Sequence, residues 1–147
     1  MPGIDSVAFF DAVASKMHDD PQAYEILGDV DLDLAVVMRR PDGSAFRVLI
    51  AFRGIACERV VELEPGDEER ADCVLDGPLD AWAEMFDDIR SHGRATGRQT
   101  VNSLTLLGDR MVVRGTDPLG VDKFFRYNQT VQAFLDGAAG VVPADVS

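Results

Sequence analysis

Cationic side chains are scarce in this sequence. Fourteen lysines and arginines face 26 aspartates and glutamates, giving a formal net charge of -12. So acidic a surface argues against nucleic acid and anionic membrane as main partners, because both attract basic surface. Cysteine is nearly absent: Cys57 and Cys73 form no CxxC pair, and His18 and His92 are the only imidazoles. That set does not make a zinc site, so no metal and no cofactor is expected. Long apolar runs are lacking as well. None is longer than residues 48–52, against the ~20 residues a membrane helix needs, which excludes stable insertion of that kind. There is no Gly-rich phosphate loop and no nucleophile motif, so the case for catalysis is thin. No cationic stretch followed by an apolar one opens the chain, and the reading is a reduced, cytoplasmic protein.

What is present suits one domain with a real core: 147 residues, 46% of them hydrophobic. The domain is expected to span 1–140, with 141–147 as a flexible tail. Asp5 can cap a first helix whose Phe10, Val13, Ala14 and Met17 recur at three and four. Pro21 opens a short second helix that Gly28 ends. The period then changes to two. Val30, Leu32, Leu34, Val36 and Met38 alternate along a half-buried strand. Pro41-Asp42-Gly43-Ser44 turns the chain, and Phe46, Val48, Ile50 and Phe52 line the return strand, with Arg47 and Arg53 opposite.

A third strand is expected over 57–63, with Cys57, Val61 and Leu63 on one side, and a fourth over 71–76, with Ala71, Cys73 and Leu75 inward. Pro78 opens a helix carrying Leu79, Trp82, Ala83, Phe86 and Ile89. Residues 90–103 shift to glycine, serine, threonine and arginine and read as a mobile connection. "SLTLL" and "RMVVRG" flanking Gly108-Asp109 suggest a second hairpin. Asp117 and Pro118 start a final helix that Gly137 stops. The sum is an α+β fold with five or six mostly antiparallel strands and amphipathic helices on one face.

Two segments, "ADCVLDGPLDAWAEMF" (71–86) and "GDRMVVRG" (108–115), sit in a telling order. A helix and a long antiparallel hairpin precede them, and an amphipathic helix follows. In this the chain resembles the sterol carrier protein 2 (SCP-2) family over most of its length. The resemblance implies a five-stranded sheet covered by helices, around an apolar tunnel for a lipid acyl chain or sterol. It also implies binding or transfer rather than bond chemistry, with the two segments and the last helix supplying tunnel wall.

The candidate ligand-binding residues are then Trp82, Phe86, Phe124, Tyr127, Val131 and Phe134, with Asn128 as polar anchor. Asn128 falls about 40° from the centre of the stripe formed by Phe124, Val131 and Leu135, taking ~100° per residue. The plainer reading of the aromatic set is ordinary core, and of Asn128 a hydrogen bond within the protein. Arg90, Arg94 and Arg98 are either a solvated loop or a clamp for an anionic headgroup. Asp29, Asp31 and Asp33 read as a solvated strand face rather than a calcium site, and Cys57 and Cys73 as buried thiols.

The leading expectation is carriage of a hydrophobic small molecule. Two alternatives stay open. One is a proton-transfer isomerase or cyclase with a strongly raised carboxyl in its cavity. The other is a closed-core interaction or dimerisation module. A homodimer is compatible with all three.

Overall fold

The computed structural model describes residues 3–107 and 110–141. It contains α1 (Val7–Asp19), α2 (Pro21–Leu27), β1 (Val30–Arg39), β2 (Ala45–Gly54), β3 (Ala56–Glu62), β4 (Cys73–Pro78), α3 (Leu79–His92), α4 (Val101–Leu107), β5 (Val112–Arg114), α5 (Pro118–Arg126) and α6 (Asn128–Asp136). The five strands form one sheet in the order β3-β2-β1-β4-β5. All neighbours are antiparallel except β1 and β4, which run parallel. No described helix is long and apolar enough to cross a membrane.

The hairpin of β1 and β2 forms the centre of the sheet. Gly43 takes φ 93°, and Ser44 O accepts from Arg40 N at 2.8 Å to close the turn. In this register Leu32, Leu34, Val36 and Met38 share one face with Phe46, Val48, Ile50 and Phe52. The helices cover that face. Phe9, Phe10, Val13 and Met17 of α1, Trp82, Met85, Phe86 and Ile89 of α3, Phe124 of α5, and Val131, Phe134 and Leu135 of α6 fill one continuous core.

The opposite face departs from simple alternation. Ala35 and Val37 are buried too, with Val74, under partly buried Leu63 and Ala71. The sheet order explains this. The chain leaves β3 on one side of β1 and enters β4 on the other, so residues 63–72 must cross over the sheet. Ala71 therefore packs on the outer face, not inward with Cys73 and Leu75. A bulge between Ala51 and Phe52 does the same to β3. It puts one extra residue in the strand and flips all that follow. Cys57 stays in the core, but Val61 is exposed and Leu63 joins the outer cluster.

Other expectations shift locally. Ser6, not Asp5, caps α1 by accepting from Phe9 N at 3.2 Å, and Asp5 instead pairs with Arg40 at 2.8 Å. The "SLTLL" segment is helix α4, not a strand, so no second hairpin forms through it; its expected turn, Gly108-Asp109, lies outside the described residues. Residues 90–103 are docked rather than loose. Asp88 accepts from Thr96 N at 2.6 Å, Asp136 from Ala95 N at 3.0 Å, and Gln132 from Val101 N at 2.7 Å. Ala95 and Val101 are buried. After Asp136 a 3-10 turn, Gly137–Gly140, packs on α1, and Ala138 and Val141 are buried. The rest of the expected tail, 142–147, lies outside the described residues.

On the outer face, β4 carries the buried Asp76. Arg39 grips it through Nε and Nη2 at 2.8 and 2.7 Å, and Arg114 adds a bond at 3.2 Å. Burial works to raise its pKa, but the arginine hydrogen bonds win and hold it below the ordinary carboxylate value. A depressed folded pKa stabilises above the unfolded value of about 3.9 and stops doing so as pH falls through the folded one. Arg39 is 63% exposed, which discounts the pair's worth. Asp76→Asn should therefore cost about 1–2 kcal/mol at pH 7. Urea denaturation should show the gap between wild type and variant closing below about pH 4. A gap that persists at acid pH would mean that Asp76 acts through shape rather than charge.

Candidate functional site

The candidate site is the packed apolar layer between the inner sheet face and the helices. Its walls follow from periodicity: residues at every second position of β1 and β2 meet residues at three and four along α1, α3 and α6. Aromatic rings dominate the helix side. Phe9 meets Phe86 edge to face at 4.9 Å, Phe52 meets Phe134 at 5.1 Å, and Trp82 stacks on Phe86 at 6.3 Å. The Trp82 indole is fixed at its polar end, where Nε1 donates to Val37 O at 3.1 Å. That bond gives a buried N–H its partner and sets the ring plane.

The structure brings five of the seven expected ligand residues into this layer. Trp82, Phe86, Phe124, Val131 and Phe134 are each at most 1% exposed. Tyr127 is partly buried beside them. It sits where the expected single C-terminal helix breaks, with φ -106° and ψ 17° between α5 and α6. The break resets the helical phase, so Asn128 is not on the buried stripe. It opens α6, half-buried, and its Nδ2 donates to Asn102 Oδ1 of α4 at 3.4 Å. The buried polar residue of α6 is Thr130.

Arg90, Arg94 and Arg98 are exposed and do not form one edge. Arg90 lies in the last turn of α3, Gly93 closes that helix at φ 81°, and Arg98 lies beyond Gly97 in the 3-10 turn Gly97–Gln99. On the outer sheet face, Arg53 holds Asp33 at 2.8 Å and Asp31 at 3.5 Å. Among the described residues no group of acidic, histidine or cysteine side chains is arranged to hold a metal. Cys57 and Cys73 are free and buried; burial pushes their thiols up to about 11 and about 12, far from thiolate at neutral pH.

The carboxyl that burial raises most plainly is Asp136. It accepts from Ala95 N and from Gln132 Nε2 at 2.8 Å, which partly offset the shift. It lines a surface pocket of about 280 Å³ with Tyr24, Lys16 and Arg94, away from the aromatic layer.

One further polar group is not marked by the sequence pattern. Gln99 Oε1 is buried and has no hydrogen-bond partner among the described residues. An orphaned amide oxygen is costly, about 1–3 kcal/mol, and in a native fold it needs a reason. It stands just before α4, on the side of the molecule where Asn102 meets Asn128. Its signal in the sequence is a lone glutamine between an arginine-bearing loop and an apolar helix.

No family model and no curated protein matches this sequence. Solved structures do match its shape. A crystal structure of sterol carrier protein 2 superposes with a TM-score of 0.73 at 19% identity, covering 95% of this chain and 100% of that one. The solution structure of a conserved hypothetical protein from Thermus thermophilus, suggested as a sterol carrier protein, gives 0.69 at 18% identity, over 94% and 89%. The apo form of sterol carrier protein 2 from Yarrowia lipolytica gives 0.53 at 13% identity, over 90% of each chain. The chain thus has an SCP-2-like fold.

Proposed function

We propose that this protein binds an elongated hydrophobic small molecule, a fatty acyl chain or sterol-like lipid, between its sheet and its helices. The observation that carries the reading is the whole-chain match to sterol carrier protein 2. The aromatic inner layer supports it chemically. Trp82, Phe86, Phe124, Val131 and Phe134 are the proposed wall, and Tyr127 and Asn128 stand at its rim. Burial of the chain at roughly 25 cal/mol per Å² supplies the affinity, and a few polar groups orient the ligand.

The polar end is assigned to the segment before α4. Gln99 Oε1 is an acceptor without a donor among the described residues, so it favours a ligand bearing a hydroxyl. Arg98 lies next to it in sequence, Arg90 and Arg94 farther back; their role as a headgroup clamp is a weaker part of the same reading.

Displacement of a fluorescent fatty acid tests both parts. A long-chain alcohol should displace the probe saturably and outcompete its methyl ether, which lacks the donor. Gln99→Leu should erase that preference while leaving thermal stability unchanged or higher, because the orphan acceptor is gone. Failure of every long-chain competitor to bind would sink the function. An alcohol preference that survives Gln99→Leu would sink the assignment of Gln99 alone.

A further inference from the structure

The outer sheet face carries a second feature, independent of the interior. With 26 carboxylates for 14 cations, stoichiometry leaves no arginine short of a partner. Arg39, Arg40, Arg47, Arg53, Arg110 and Arg114 all pair with carboxylates. Arg59 and Arg70 pair with none among the described residues, yet both line one pocket of about 240 Å³.

The topology explains the pocket. Asp33, Ala51 and Arg59 form one row across β1, β2 and β3, and the small Ala51 leaves a gap between Asp33 and Arg59. The crossing segment closes the gap from above, bringing Arg70 from the 3-10 turn Asp67–Arg70. Leu49 and Leu63 supply apolar lining. Two carboxylates also line the space. Asp33 shares Arg53, at 2.8 Å, with Asp31 at 3.5 Å and Glu58 at 3.8 Å, and Asp67 has no ion pair among the described residues. Two arginines without ion pairs among the described residues and two aspartates, one of them held by Arg53, thus line the pocket.

We infer that this pocket binds a small oxyanion, a carboxylate or phosphate, between Arg59 and Arg70, with any apolar part of the ligand against Leu49 and Leu63. Guanidinium forks suit planar or tetrahedral oxyanions because each can give two parallel N–H bonds. Asp67 opposes the anion and sets the sign of the test.

The experiment is an NMR titration of the full chain with inorganic phosphate and with butyrate, read at the arginine Nε–H signals. Saturable shifts are expected at Arg59 and Arg70. Arg59→Gln and Arg70→Gln should each weaken binding about tenfold or more, Asp67→Asn should tighten it several-fold, and Arg126→Gln should change nothing. Flotation with phosphatidic acid vesicles identifies the source of the anion. Flotation that phosphate competes away marks a lipid headgroup, and phosphate binding without flotation marks a free anion; either supports the site. Absence of saturable shifts with both anions, or shifts indifferent to Arg59, Arg70 and Asp67, would overturn it.

Discussion

Gly120→Ala should lower stability by about 3 kcal/mol or more, near the upper end for inserting one methyl group into a packed contact. Gly120 is buried in the first turns of α5, where the helix lies against the start of β4. A Cβ there would press on the Asp72 carbonyl oxygen and come within 2.7 Å of its carbon. Asp72 has nowhere to retreat. Its N–H donates to Asp33 O at 2.9 Å, and its carboxylate accepts from Asp33 N at 2.9 Å and from Lys123 Nζ at 3.3 Å. The helix must therefore lift, and Phe124, fully buried one turn on, is withdrawn from the interior. Thermal denaturation should show a drop on the order of 10 °C. A melting temperature within two or so degrees of wild type would mean that α5 does not rest on β4 as described.

Trp82→Ala should cost about 3–5 kcal/mol, the range for removing a large buried aromatic side chain. Trp82 is fully buried, stacked on Phe86 and hydrogen-bonded to the central strand. Two effects combine, and a second variant separates them. Trp82→Phe keeps much of the volume but leaves Val37 O without the indole donor, which should cost about 1–2 kcal/mol. If urea denaturation gave the two variants equal losses, the hydrogen bond rather than packing would dominate. If Trp82→Ala cost under about 1 kcal/mol, Trp82 would not be core at all.

Much of this arrangement is legible in the sequence because local and global signals agree. The β1–β2 hairpin joins two long period-two segments through a turn with proline and glycine in workable positions. Asp117 and Pro118 mark the start of α5, and Asp117 does accept from Leu119 N at 2.9 Å. Where the reading departs from the structure, a long-range cause is at work. Apolar neighbours 35–38 reflect burial on both faces, which depends on a crossing segment set by strand order. The bulge that turns Val61 outward depends on its partner strand.

The segment "SLTLL" is too short for period alone to separate strand from helix. The overlooked signal is Thr100, whose Oγ1 accepts from Ser103 N at 3.2 Å at the start of α4. The candidate site divides the same way. The aromatic layer shows in the spacing, whereas the phase of Asn128 depends on a break at Tyr127 that no proline or glycine marks. Gln99 stands out only through its surroundings, since an unpaired acceptor cannot be read from one chain position.

Native mass spectrometry of the freshly purified protein shows whether the interior carries a lipid. A second species is expected, heavier than the chain by one hydrophobic small molecule. It should vanish on organic extraction and return when the stripped protein meets a long-chain alcohol or a sterol. One species at the bare chain mass, before extraction and after equilibration with both lipids, would contradict lipid binding.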